Sequence, residues 1–182
     1  MHPASNIAGK TKYKGIFKYE KNKCYCCELM AEIRANSRQE RMSEASAMAE
    51  IAKSEIRRKE YGKAAADLKA AIRKVRVEGP EDLPFKKEMQ KVLLKALKKQ
   101  AKESERDCRF DVATDLWIEA SECKRSMHQI TGIYPQPYVN TNRLLKRAKK
   151  AAAKEYMQSG NKERYMKRLT HIEEKWTYIR LD

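Results

Sequence analysis

Apolar residues recur along most of the chain at spacings of three and four, the period of a helix with one buried face. The pattern is sharpest between Ala101 and Lys124. A helix there ends near Asp107, the chain turns through Cys108-Arg109-Phe110, and Asp111 is placed to cap a second helix. That helix carries Ala113, Leu116, Trp117, Ala120 and Cys123 on one side, with alanines where its partner must come close. The pattern predicts a helical hairpin anchored on Trp117, with Cys108 and Cys123 as small core residues. Displaced by 49 residues upstream, Ala52, Tyr61, Ala64, Leu68 and Ala71 fall on Ala101, Phe110, Ala113, Trp117 and Ala120. Displaced by 52 downstream, Ala153, Tyr165, Leu169 and Ile172 take similar places, with Ser159-Gly160-Asn161 as the turn, although the alanines are lost. The chain is therefore expected to repeat a hairpin.

The remaining elements follow in order. A first helix is expected from about Cys24 to Asn36, with Cys27, Met30, Ala31 and Ile33 apolar. Ser37-Arg38-Gln39-Glu40 has the form of a capping box and predicts a fresh helix start. The long helix after it places Met42, Ala45, Met48, Ala49, Ile51, Ala52 and Ile56 inward. Its partner runs from about Lys63 to Val77, where Glu78-Gly79-Pro80 stops it. From Pro84 to Asp107 the inward residues are Phe85, Met89, Val92, Leu93, Ala96 and Leu97. Thr131 to Asn140 predicts an extended loop covering the helices or offering Tyr134 and Tyr138 for recognition. Thr141 or Asn142 would cap a helix burying Leu144, Leu145, Ala148, Ala151 and Ala152. A last helix, Lys162 to Ile179, would bury Tyr165, Met166, Leu169, Ile172, Trp176 and Ile179. The expectation is an all-α fold of stacked helical hairpins, tetratricopeptide-like or irregular, with about six or seven helices and a short extended N-terminal arm. Its divisions would be 1–36 (arm and first helix), 37–79 (first hairpin) and 80–182 (second and third hairpins).

The order small residue, turn, aromatic, Ala, large apolar, Ala in Ala101, Phe110, Ala113, Trp117 and Ala120 resembles the tetratricopeptide helix pair. The spacing of 49 to 52 exceeds that family's period of about 34, and the closing proline is missing. Glu60-Tyr61-Gly62-Lys63-Ala64-Ala65-Ala66-Asp67-Leu68 and Phe110-Asp111-Val112-Ala113-Thr114-Asp115-Leu116-Trp117 are also similar to the core of PerC-like and ANR-type regulators of enterobacteria and their phages. That resemblance implies a small regulator acting by binding DNA or another regulator, with no catalysis.

Charge changes the picture most. The formal net charge is +16, from 41 Lys and Arg against 25 Asp and Glu, so attraction to polyanions is built in. On the helix from Pro84, Lys87, Lys91, Lys95, Lys98 and Lys102 recur at helical spacing and form one stripe. Arg143, Lys146, Arg147, Lys150 and Lys154 form a second. In Lys12-Tyr13-Lys14-Gly15-Ile16-Phe17-Lys18-Tyr19, Lys12, Lys14 and Lys18 could neutralise phosphates while Tyr13, Phe17 and Tyr19 stack on bases or cover the first helix. Nucleic acid, DNA ahead of RNA, is the expected partner. An acidic protein is the alternative.

No phosphate-binding glycine loop, nucleophile elbow or His-Glu-x-x-His segment is present, and His2, His128 and His171 are scattered. A non-enzymatic protein without cofactor is expected. Cys24, Cys26 and Cys27, with His128 or Cys123 completing a tetrahedron, could supply ligands to zinc, but without paired Cys-x-x-Cys knuckles the cysteines read as free thiols. No run is long and apolar enough to span a membrane and the N-terminus lacks a secretory core, so a cytosolic protein is expected.

Overall fold

The computed structural model describes residues 25–131 and 138–177, with side chains over 29–127 and 141–175. Among them are α1 (Tyr25–Arg57), α2 (Tyr61–Lys74), α3 (Asp82–Arg106), α4 (Phe110–Thr131), α5 (Tyr138–Ser159) and α6 (Lys162–Thr177). The described chain is all-helical. Residues 1–37 and 38–182 are separate compact units. The basic and aromatic arm from Lys12 to Tyr19 lies outside the described residues, as do Cys24 and Tyr134.

One expected boundary is absent. Ser37 lies within α1, so the capping box starts no helix and the expected first two helices are one. The stretch from Arg34 to Glu40 holds neither Gly nor Pro. Asn36 and Ser37 weaken a helix by a few tenths of a kcal/mol each, whereas ending one there would strand its terminal carbonyls and the amides of the next start. In the part of α1 within unit 1, Leu29, Met30 and Ile33 are exposed.

Within residues 38–182 the chain folds into three hairpins, α1/α2, α3/α4 and α5/α6, joined so that α2 packs on α3 and α4 on α5. Their turns are built alike. Lys59 and Cys108 take left-handed conformations (φ 66° and 56°). The next amide in each reaches back five residues, Glu60 N to Glu55 O at 2.9 Å and Arg109 N to Ser104 O at 2.8 Å. Lys59 N and Cys108 N each reach back three, to Ile56 O and Glu105 O. Together these bonds form a Schellman motif, which satisfies carbonyls at a helix end. At the third turn Gly160 (φ 67°) donates to Tyr156 O at 2.8 Å, the simpler left-handed closure. Each second helix then opens with an equivalent bond: Ala64 N to Glu60 O, Ala113 N to Arg109 O, Tyr165 N to Asn161 O. The offsets of 49 and 52 found in sequence are the offsets of the turns.

The repeat is also visible in burial. Ala52 and Ala101, Ala64 and Ala113, Leu68 and Trp117, and Ala71 and Ala120 are all buried, and Ile172 closes the third hairpin. Several inward assignments fail or weaken, and the side chains of Trp176 and Ile179 lie outside the described residues. Ile51, Met166 and Cys108 are exposed, and Cys123 is half-buried with its sulfur 3.5 Å from Gln90 O. Cys108 occupies the left-handed position of a turn, whose side chain projects from the hairpin end.

Two other ends differ from expectation. α2 stops at Lys74 because Val75 becomes extended and buries its side chain. α5 begins at Tyr138, so that residue lies in a helix and not a recognition loop; Thr141 is inside the helix and buried. Asn161 does cap α6, accepting Arg164 N–H at 2.9 Å.

The junction between the first two hairpins is tied by a buried carboxylate. Asp82 accepts the amides of Glu78 (2.9 Å) and Gly79 (3.1 Å) and pairs with the Arg38 guanidinium. Arg38, first, and the two amides hold this carboxyl below its ordinary range. A depressed native value means that the stabilisation is present above the unfolded value of about 3.9 and is lost as pH falls through the native one. Asp82→Asn is therefore expected to lower Tm at pH 7 and to flatten the fall of Tm under acid. A thermal-denaturation series against pH measures both.

Candidate nucleic-acid interface

α3 turns one face to the core through Met89, Leu93, Ala96, Leu97 and Ala101. Its opposite face carries Lys91, Lys95, Lys98, Lys99 and Lys102, which with Leu94 line a shallow depression of about 250 Å³. Lys87, expected at the head of this stripe, is half-buried and outside that depression. α5 buries Leu144, Leu145, Ala148 and Ala151, leaving Arg143, Lys146, Arg147, Lys150 and Lys154 exposed on the other side.

The two stripes are one feature repeated. At the offset of 52 that superposes the second and third turns, Lys91, Lys95, Lys98 and Lys102 fall on Arg143, Arg147, Lys150 and Lys154. All four positions are cationic in both hairpins, although the alanines of the third have been replaced. Sequence periodicity finds each stripe. The coincidence emerges only when Cys108 and Gly160 are known to be the same turn position.

α4 packs against both α3 and α5. Trp117 is buried; its indole N–H donates to Glu105 Oε1 on α3 at 2.6 Å, and the Arg147 guanidinium of α5 lies 4.9 Å from its ring centre. Seven residues nearer the hairpin end, Lys154 lies 5.2 Å from the Phe110 ring centre. At the other end Lys124 feels both stripes. Its ammonium is held below its usual range, first by partial burial and then by repulsion from Lys98 of α3 and Arg143 of α5. Lys124 was not singled out in sequence because its role depends on where α3 and α5 place their heads.

Carboxylates are spent elsewhere. Glu155 is buried between Arg164 Nε (2.8 Å) and Arg168 Nε (2.9 Å), and these arginines also reach Asp111 and Asp115 of α4. Lys69 pairs with Glu119, Lys175 with Glu122, and Lys74 with Glu44. On the two stripes Lys91 has Glu88 at 2.8 Å. Among the described residues no carboxylate lies within ion-pair distance of Lys95, Lys98, Lys102, Arg143, Lys146, Lys150 or Lys154. Like charges at i+4 repel by a few tenths of a kcal/mol per pair, so the bare rows oppose folding until an anion covers them.

Other features carry less chemistry. Cys24 and the side chains of Cys26 and Cys27 fall outside what is described, as does the side chain of Tyr138. Among the described residues no group of three or more His, Cys, Asp or Glu is arranged to hold a metal ion, and no helix is long and apolar enough to cross a membrane. Burial, above all, pushes the Cys123 thiol up to about 11, whereas Cys108 is exposed. In a maleimide experiment at neutral pH read by peptide mapping, Cys108 is expected to be modified and Cys123 to stay protected until the protein unfolds.

The fold and its basic face define a class: a stack of helical hairpins presenting a repeated row of cations. No family model matches the chain, and neither a curated protein nor a solved structure matches it.

Proposed function

We propose that this is a non-enzymatic, cytosolic protein that binds nucleic acid along the phosphate backbone with the paired cationic rows of α3 and α5. The supporting observation is the repeat equivalence of Lys91, Lys95, Lys98 and Lys102 with Arg143, Arg147, Lys150 and Lys154, bare of carboxylates beyond Glu88. Each row spans twelve residues, about 16 Å of helix axis between its first and last cations. Over that length one strand of a duplex presents about five phosphates, enough to engage every cation of a row. Mobile, hydrated ammonium groups neutralise phosphates without reading bases, so the rows fix position while sequence preference stays low.

The alternative partner, an acidic protein, finds less support. Interfaces between proteins rely on desolvated aromatic and apolar anchors, and Leu94 is the one apolar residue lining the α3 depression. The likeness of two short segments to PerC-like and ANR-type regulators fits a binding role of either kind.

Fluorescence anisotropy with short labelled DNA and RNA duplexes tests the proposal. Affinity is expected to fall about a thousandfold or more between about 50 and 200 mM salt. A protein that binds neither duplex at low salt, yet captures an acidic protein from nuclease-treated lysate, would shift the assignment to the alternative.

A further inference from the structure

Beyond the rows lies a second depression, of about 340 Å³, where the first turn meets the C-terminal half of α3; Lys59, Tyr61, Lys99, Lys102, Glu103 and Arg106 line it. Four cations face one carboxylate there. Among the described residues none of the four is within ion-pair distance of an acid. The volume sits at the lower end of the range for small-ligand sites, about 300 Å³ upward, and accommodates a phosphate with its sugar.

Lys59 brings a cation to the depression from an unusual backbone position. It holds the left-handed position of its Schellman turn at φ 66°, a conformation that side chains resist and glycine adopts freely. Gly160 fills the equivalent position of the third turn, where a Cβ would meet nothing within 4 Å. A lysine kept in that conformation is strained backbone bringing an ammonium to the rim. The equivalent corner of the second hairpin has Cys108 for Lys59 and Phe110 for Tyr61. It therefore lacks both the turn cation and the hydroxyl, although Lys154 matches Lys102.

We infer that the Lys59–Tyr61–Arg106 depression is a phosphomonoester site, taking the terminal phosphate of a nucleic-acid strand whose backbone lies on the α3 row. It rests on the proposed function for the strand, and on its own residues for the phosphate. A terminal phosphate carries about −1.5 to −2 charges at pH 7, against one for a backbone diester. It suits a corner where several ammonium and guanidinium donors converge with a phenol that can donate a hydrogen bond. Lys102 belongs to both the row and the depression, so the two surfaces are continuous.

Two turn variants test the site without damaging the fold. Lys59→Gly removes the cation and relieves the backbone; Cys108→Gly relieves the equivalent backbone and touches no cation. Both should melt at or above the wild-type temperature. Wild type and C108G should bind a short duplex bearing terminal phosphates about tenfold more tightly than its hydroxyl-ended counterpart, the scale of a charge-assisted hydrogen bond. K59G should lose that preference while binding the hydroxyl-ended duplex nearly as wild type does. Equal affinity of wild type for the two duplexes, or an undiminished preference in K59G, overturns the inference. If neither duplex binds at all, the proposed function has failed. Titration with inorganic phosphate at constant ionic strength, followed by NMR, then decides the site alone. Shifts at Lys59, Tyr61 and Arg106 that vanish in K59G support it, and their absence overturns it.

Discussion

Reversing Lys95, Lys98, Lys146 and Lys150 to glutamate is expected to abolish duplex binding while leaving the helical content and melting behaviour close to wild type. The four side chains lie on the faces of α3 and α5 turned from the core. Among the described residues they are within ion-pair distance of no acid. Removing four cations and adding four anions changes the local charge by eight. Near a phosphate backbone each neutralised contact contributes a slope of about −0.9 in the logarithmic salt dependence, so an affinity loss of a thousandfold or more at moderate salt is expected. Arg147 is left out of this set because its guanidinium covers Trp117. Reversal there would confuse lost binding with lost packing. Melting should rise slightly in the reversed protein, since repulsion along the rows becomes attraction to the cations left beside them. A variant that unfolds, or that binds duplex like wild type, contradicts this expectation.

The second large effect is on stability. Trp117→Ala should destabilise the protein by about 3–5 kcal/mol, the range for removing a buried large aromatic. Trp117 is 1% exposed, the largest fully buried side chain among the described residues. It occupies the position of Leu68 in the first hairpin, so Trp117→Leu should recover part of the loss by restoring volume. The indole also joins three helices. Its removal leaves Glu105 without its donor and Arg147 without its ring, which loosens the contact between α3 and α5 across α4. W117A should therefore bind duplex less tightly even at temperatures where it is folded. Denaturant titration gives the stability, and anisotropy well below the midpoint gives the binding.

How much of this the sequence reveals depends on what each feature requires. Alanine, aromatic and large apolar residues at matching intervals exposed two hairpins, because the same places are buried in both, Ala64 and Ala113, and Leu68 and Trp117. The third was fainter, since Tyr165 fills the alanine place; it is recognised by Gly160, whose left-handed backbone repeats that of Lys59 and Cys108. The false break at Ser37 shows the limit of local signals. A serine three residues before a glutamate is a cap only where a helix must begin, and nothing between Arg34 and Glu40 obliges one to end. The link between Arg38 and Asp82 was not legible, because it joins residues 44 apart through a junction with no periodicity.

The candidate surface divides in the same way. Both rows follow from helical spacing alone. That Lys98 of α3 and Arg143 of α5 both come within electrostatic reach of Lys124 does not, because it depends on α4 lying between α3 and α5. The depression at Lys59 is further still from sequence. A turn lysine, Lys59, and a helix C-terminus, Arg106, meet only through packing of α2 on α3. Charge composition is read directly from the sequence, whereas the equivalence of the two rows is recognised only from the turns.

The most direct test of the central claim, that the rows of α3 and α5 act as one surface, is the salt dependence of duplex binding for wild type, for each single-row reversal and for the double. One shared surface predicts a logarithmic slope of about −6 to −8 for wild type. Reversing either row alone should cost nearly as much affinity as reversing both, because a duplex held by one row is repelled by the other. Independent losses that simply add, with a wild-type slope no steeper than that of a single row, would contradict it.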